Sequence, residues 1–289
     1  MPHPLETMLR YARELAGDNQ QLTSVIIKEL LHYDILFALS QTPLADQLVF
    51  QGGTALRLCY GGNRYSEDLD FVCPDHLKPD HWQQFEQILQ RTVAKNFDCK
   101  VVLHAPGPGG GNHVVVERWQ ARVYLPAEVV GQDRTERINI EIAHLPAWDA
   151  SFKFIQSNHP LQTAKAGYGD ILLQVESEAE ILADKAVALA GRPYLKARDV
   201  WDVNWLLQKN IQVDAGMVAE KAERYGLGPL ETALHTAIER LHDPQAHERF
   251  RQEMSRFLLS ATARHLASEK FVAQFFDTAE QFLRGIETS

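Results

Sequence analysis

No apolar run in this chain reaches the roughly eighteen residues that a membrane-spanning helix needs, and the opening MPHPLETMLR lacks the pattern of a secretory leader. A cytoplasmic protein with no membrane partner is the expectation. Cysteine is scarce: Cys59, Cys73 and Cys99 are odd in number and show no C-x-x-C spacing, which argues against a disulfide framework or a zinc site. They read as small core or near-core residues. Basic charge is short as well, with 29 Lys and Arg against 38 Asp and Glu, a formal net charge of −9. The chain therefore has no global basic surface of the kind that grips nucleic acid by phosphate neutralisation. Brief contact with a nucleic acid would have to use a local groove, for which Arg64, Lys185, Arg192, Lys196 and Arg198 are the candidates. A basic protein partner would suit the acidic remainder. No internal repeat or low-complexity tract is evident. His235, His242 and His247 straddle a helix break without carboxylate support, and read as surface histidines rather than metal ligands.

What is present is concentrated in residues 50–72, FQGGTALRLCYGGNRYSEDLDFV. Leu48, Val49 and Phe50 form a short apolar run that suggests a buried strand, stopped by Gly52 and Gly53, where the backbone can come close to a ligand. Thr54 is expected to cap a helix suggested by Ala55, Leu56, Leu58 and Cys59, leaving first-turn N–H groups as a seat for phosphate. Gly61, Gly62 and Asn63 end that helix, and Ser66 to Val72 alternates as a second strand with Leu69 and Phe71 facing the core. Asp68 and Asp70 then share the opposite face, their alpha carbons roughly 6–7 Å apart. Two carboxylates at about 4 Å repel by about 4 kcal/mol at an intermediate dielectric. A divalent cation removes that cost, and magnesium, with manganese as the substitute, suits two carboxylates plus substrate phosphates. An alternating D-x-D alone equally describes a solvated strand face; the Gly-Gly-Thr ahead of it tips the reading towards a metal pair.

GGTAL at 52–56 followed by RYSEDLDF at 64–71 resembles the first motif of polymerase-beta-type nucleotidyltransferases. Within that superfamily the chain most resembles the AbiEii/AbiGii-type, MenT-like toxins, because EILADKAVALAGRPYLKARDVWDV at 180–203 is similar to their later block with its lysine, spaced arginine and Arg-Asp-x-x-Asp. The departures are Thr54 in place of a common serine and Leu189 where some members carry a hydroxyl. The resemblance covers roughly residues 22–210; beyond that the match is only in helical character. It implies an α+β fold: a nucleotidyltransferase domain over 1–170, with a helical lead and a mixed sheet flanked by helices, then a helical domain over 171–289. It also implies transfer of a nucleotide from an NTP to an acceptor with release of pyrophosphate, in the toxin of a toxin–antitoxin system of the abortive-infection kind. The end of a tRNA is the favoured acceptor, and a cognate antitoxin the expected partner.

The resemblance further calls for a third acid from a later strand. In Arg137 to Ile142 the three isoleucines point one way while Asn139 and Glu141 point the other, which makes Glu141 the third carboxylate and Asn139 its substitute. Catalytic and metal-binding roles thus fall to Asp68, Asp70 and Glu141, one ion lying between the aspartates and a second shared with Glu141. Gly52, Gly53, Thr54, Arg64 and Ser66 are the nucleotide-binding candidates from this half, although Arg64 and Ser66 equally suit a plain turn. Spacing alone reads Lys185 and Arg192 as a solvated helix face salt-linked to Asp184 or Glu178; the resemblance moves Lys185 into catalysis and, with Arg192 and Asp199, into nucleotide binding. Asp199 and Asp202 stay open between catalytic and structural roles. Trp201 and Trp205 read as core aromatics more readily than as a base-stacking pair. Two alternatives keep the same site: a small-molecule (aminoglycoside-like) or protein nucleotidyltransferase, and a non-catalytic nucleotide-binding module.

Elsewhere, helices are expected over Leu5–Leu15, Val25–Leu39 and residues 81–97. Strands are expected over Cys99–Leu103 and Val114–Tyr124, joined by APGPGGGN, which reads as a hairpin connection because no helix start follows it. After Trp148 the pattern loosens until ILLQV at 171–175. From Glu178 onward helix periods dominate, broken near Gly191–Pro193, Asn210, Gly226–Pro229, Asp243–Pro244 and Ser268.

Overall fold

A computed structural model describes residues 4–75, 77–104, 118–126, 136–163, 165 and 167–287. The APGPGGGN segment and residues 114–117 of the expected second hairpin strand lie outside them. The described residues form two compact units that divide between Glu176 and Ser177. The division expected at 170/171 would have separated the strand Leu172–Glu176 from the sheet to which it hydrogen-bonds.

The first unit is built from α1 (Pro4–Ala16), α2 (Gln20–Ser40), β1 (Val49–Gln51), α3 (Gly52–Cys59), β2 (Leu69–Cys73), α4 (Pro79–Leu89), β3 (Lys100–His104), β4 (Arg118–Tyr124), β5 (Arg137–His144), β6 (Ala150–Phe154) and β7 (Leu172–Glu176). The strands form one mixed sheet in the order β3-β4-β5-β2-β1-β7-β6. β2 runs parallel to β5 and antiparallel to β1, and β1 runs parallel to β7. The alternation read from the sequence explains the sheet's buried face. Phe50, Leu69, Phe71, Ile138, Ile140 and Ile142 are all buried, and the Phe50 and Phe71 rings stack with centroids 5.0 Å apart. β6 is an edge strand with Phe152 and Phe154 exposed, which is why no half-buried period marked it in the sequence. The helix expected over 81–97 is present but not uniform: α4 passes into a π-helical turn at Gln90–Ala94 before a last helical turn at Lys95–Phe97.

α2 is capped by Asn19, whose side chain accepts from Leu22 N at 3.1 Å. It departs from simple amphipathicity, because Lys28, Glu29, His32 and Asp34 are all buried on it. Each has a partner contributed from far along the chain, and the partners of Lys28, Glu29 and His32 lie in or near the segments that carry the candidate acids.

The second unit is helical among its described residues: α5 (Glu178–Gly191), α6 (Ala197–Gln208), α7 (Ala215–Arg224), α8 (Leu230–Leu241), α9 (Ala246–Met254) and α10 (Glu269–Glu287), with short turns between them. The breaks expected near Gly191–Pro193, Asn210, Gly226–Pro229, Asp243–Pro244 and Ser268 are present, and a further one between Met254 and Ser260 was not expected. Ser177 caps α5, its Oγ accepting from Glu180 N at 3.1 Å. Trp201 is in the core, its ring stacked on Phe275 with centroids 4.8 Å apart. His235, His242 and His247 each lie against a single glutamate (Glu239, Glu280 and Glu269). No helix among the described residues is long and apolar enough to cross a membrane.

Candidate active site

The sheet brings the expected acids into one row. Gln51 on β1, Asp70 on β2, Glu141 on β5 and Gln120 on β4 are successive register partners across four neighbouring strands, so their side chains share one face. Asp70 and Glu141 are direct parallel neighbours, on the face opposite the buried isoleucines. Gln120 Nε2 donates to Glu141 Oε1 at 2.7 Å, and Arg118 Nη1 lies 3.8 Å from Glu141 Oε2. That ion pair is long and substantially exposed, so it holds the glutamate only weakly.

β2 starts at Leu69 rather than at Ser66, so Asp68 lies just before it, and its Oδ1 accepts two hydrogen bonds from Asn139, from the backbone N at 3.1 Å and from Nδ2 at 2.8 Å. Asn139 is therefore placed to orient Asp68. Arg137 Nε in turn donates to Asn139 Oδ1 at 3.0 Å, and Arg122 Nη2 to Gln120 Oε1 at 3.3 Å. The acids are thus bordered by Arg118, Arg122 and Arg137, none of which the motif reading singled out. Their signal was the alternation Arg118-x-Gln120-x-Arg122, readable only once β4 is known to lie beside β5.

The glycine pair is close-packed against this row. α3 starts at Gly52 itself, with Gln51 in the N-cap position and no side-chain cap. Thr54 does not cap the helix as expected; its hydroxyl donates to the Asp68 carbonyl, tying α3 to the loop that carries the acid. Gly52 has φ +78°, and a β-carbon there would come within 3.1 Å of Asp70 Oδ2. At Gly53 a β-carbon would lie 2.3 Å from Arg64 Nη2 and 3.2 Å from Ser66 Oγ. Gly52 is held to glycine by its left-handed backbone and the nearby Asp70, and a side chain at Gly53 would displace the Arg64 guanidinium. Arg64 and Ser66 are buried, and Arg64 Nη1 donates to Tyr65 O at 2.9 Å, so they support the loop from beneath rather than lying on its surface.

A buried polar lattice from α2 braces that loop. Lys28 Nζ pairs with Glu67 at 2.9 Å and also with Glu136, and His32 Nε2 lies 3.1 Å from Glu67 O. One buried cation therefore ties the residue before Asp68 to the residue before β5. Burial pushes the His32 ring down to about 4, despite its hydrogen bond to Glu67, so it is neutral at pH 7. Alongside, Glu29 is wholly buried and accepts from Arg57 Nε at 3.0 Å, Arg57 Nη2 at 3.1 Å and His159 Nε2 at 2.9 Å. Burial alone would raise the Glu29 carboxyl; His159 and Arg57 outweigh it and hold it below the usual range. Arg57 also donates to Gly62 O at 3.0 Å and lies over the Tyr65 ring.

The donors fit a hard divalent cation. Among the described residues no three His, Cys, Asp or Glu side chains are gathered as a ready-made cage. Magnesium does not need one, since one or two carboxylates complete its shell with water and substrate phosphate. Asp70 and Glu141 are placed to offer two such carboxylates, all-oxygen and half-buried, with Asp68 just ahead of β2.

The later block lies in the second unit. Lys185 Nζ is buried between Asp199 Oδ1 at 2.9 Å and Asp202 Oδ2 at 2.8 Å, and Arg192 Nη1 pairs with Asp199 Oδ2. Burial would raise the Asp199 carboxyl, but Lys185 and Arg192 prevail and keep it below its ordinary value. The spaced lysine, arginine and two aspartates thus form one charge cluster joining α5 to α6. The bland salt links considered from spacing are made by other cations: Lys221 pairs with Asp184 at 2.7 Å, and Lys209 pairs with Glu178. Arg198 is engaged with Glu253 at 3.4 Å.

Comparison with solved structures places the fold. The nucleotidyltransferase toxin MenT4 of Mycobacterium tuberculosis H37Rv is similar over 97% of each chain, with a TM-score of 0.52 and 19% identity. JHP933 of Helicobacter pylori is similar over 91% of this chain and 94% of its own, with a TM-score of 0.44 and 18% identity. No curated protein matches the sequence. The family model described as the nucleotidyl transferase AbiEii toxin of type IV toxin–antitoxin systems matches residues 34–279. The span takes in the glycine pair, the acid row and the charge cluster of α5 and α6: the chain belongs to the AbiEii family of nucleotidyltransferase toxins.

Proposed function

We propose that this enzyme transfers a nucleotidyl group from an NTP to the end of an RNA, with tRNA as the favoured acceptor, in a magnesium-dependent reaction. The observation that carries the reading is the register pairing of Asp70 with Glu141, bordered by Arg118, Arg122 and Arg137 on one face of the sheet. When bound, a divalent cation there neutralises triphosphate charge and acidifies an attacking hydroxyl. Asp70 and Glu141 would hold it, with Asp68 kept in orientation by Asn139. The first-turn N–H groups of α3, at Gly52, Gly53 and Thr54, face phosphate oxygens, and the bordering arginines offset the remaining negative charge. The acceptor hydroxyl oxygen bonds to the α-phosphorus, the bond from that phosphorus to the bridging oxygen breaks, and pyrophosphate leaves. Glu141 takes the hydroxyl proton. Of the later block, Lys185 and Asp199 are the nucleotide-binding residues of this reading, Asp199 pairing with Lys185 and with Arg192. A cognate antitoxin and a cytoplasmic setting accompany this reading.

The test is incubation with each α-labelled NTP, magnesium and total RNA. Label should appear in RNA of tRNA size and require the metal. Label confined to protein or small molecules, with none in RNA, would defeat the acceptor assignment.

A further inference from the structure

The second unit contains a cleft that the acid row does not account for. Its volume is about 400 Å3, and its walls include Gly191, Arg192, Thr232, Thr236 and Arg240. Arg240 spans the wall, donating from Nε to Thr236 O at 3.1 Å and from Nη2 to Ala190 O at 3.0 Å. Its buried Nη1 meets no hydrogen-bond partner, and burial lowers the guanidinium below its ordinary value. An anion in the cleft would offset the desolvated guanidinium charge without reaching that buried atom. Arg192 gives Nη1 to Asp199 and keeps about a third of its side chain exposed, at 36%. The acids nearest in sequence on α8, Glu231 and Glu239, are exposed.

The turn that forms one wall continues into Tyr194, which is 60% exposed although large and aromatic. It stands between Arg192 and Lys196. Cations that track phosphate next to an aromatic face that stacks a base are the two elements of single-strand recognition. Guanidinium groups add bidentate hydrogen bonding to phosphate. In a chain of net charge −9 this is a local exception, and it supplies the restricted contact surface that the composition demanded.

We propose that this cleft and Tyr194 bind the acceptor strand, with a phosphate of single-stranded RNA at Arg192 and Arg240 and a base on the Tyr194 ring. The proposal rests on the RNA-acceptor reading above. It is tested on the full chain by fluorescence anisotropy, with a short labelled single-stranded RNA and, separately, a fluorescent NTP analogue. Tyr194→Ala removes the stacking face, and Thr232→Glu places a carboxylate in the cleft on an exposed helical position where glutamate is well tolerated. Each should weaken RNA binding about tenfold, leave NTP binding and melting temperature unchanged, and be rescued at position 194 by Tyr194→Phe. RNA binding unchanged in both variants would overturn the proposal, as would a parallel loss of NTP affinity, which would give the cleft to the donor nucleotide. A wild-type enzyme that transfers a nucleotide to some other acceptor and binds no RNA would overturn both this proposal and the acceptor reading.

Discussion

Gly52 and Gly61 offer a matched pair of perturbations, because both have φ +78° and differ in what a methyl group would meet. At Gly61 the nearest atom to an added β-carbon is Gln156 Oε1, 3.8 Å away, an ordinary contact; at Gly52 it is Asp70 Oδ2 at 3.1 Å. An alanine in the left-handed region costs about 1–2 kcal/mol at either site. For a unit of this size that corresponds to a fall in melting temperature of about 2–8 °C. Only Gly52→Ala additionally forces the Asp70 carboxylate aside by a few tenths of an ångström. Since a misplacement near 1 Å can cost about a hundredfold in rate, about a tenfold loss is expected from the smaller shift. Thermal melts and nucleotidyl transfer at saturating NTP, run on Gly52→Ala and Gly61→Ala together, measure the two effects separately. The expected result is similar stability loss in both and a rate loss in Gly52→Ala alone. Equal rates in the two variants would refute the claim that the glycine exists to admit the acid.

Glu29→Gln should lower stability by about 3 kcal/mol, because it leaves Arg57 and His159 in the interior against a neutral partner. Since the Glu29 carboxyl is held below its usual value, its contribution is present above the usual carboxylate range and is lost as pH falls through the depressed value. The stability gap between wild type and Glu29→Gln, followed by urea unfolding, should therefore narrow at acid pH; a gap that stays constant down to the wild type's own acid unfolding contradicts this. Lys28→Met removes the cation shared by Glu67 and Glu136, and should cost about 3 kcal/mol and reduce transfer more than it raises the NTP KM. Lys28→Arg should restore much of the transfer rate, and its failure to do so while stability recovers would remove Lys28 from the positioning of the acid loops.

The fold was legible in the sequence where local pattern and burial agree. Isoleucines alternating with Asn139 and Glu141 marked β5, and Gly-Gly followed by Asp-Leu-Asp marked the junction of β1, α3 and β2. The same alternation correctly placed Glu141 on a face opposite the core, though its pairing with Asp70 rather than Asp68 depends on a parallel register that no local pattern reveals. The polar face of α2 was not legible. Lys28, Glu29, His32 and Asp34 look like a solvated stripe, and they are buried because Glu67, Arg57, His159 and Lys165 reach them from 28 to 131 residues away. Thr54 has the chemistry of a cap but uses its hydroxyl on Asp68 O, because α3 begins two residues earlier. Arg118 and Arg122 carried no motif, and only their strand's position beside β5 brings them to the acids.

The central claim, that Asp70 and Glu141 act as one cation-binding pair, is tested most directly by manganese binding followed by electron paramagnetic resonance in the presence of NTP. Wild type, Asp70→Asn, Glu141→Gln and the double variant should be compared, with transfer rates measured alongside. Each single variant is expected to lose at least about tenfold in metal affinity, with the double variant little worse than either, since residues that act as a unit are not additive. A Glu141→Gln enzyme that binds manganese and transfers nucleotide like wild type would contradict the account.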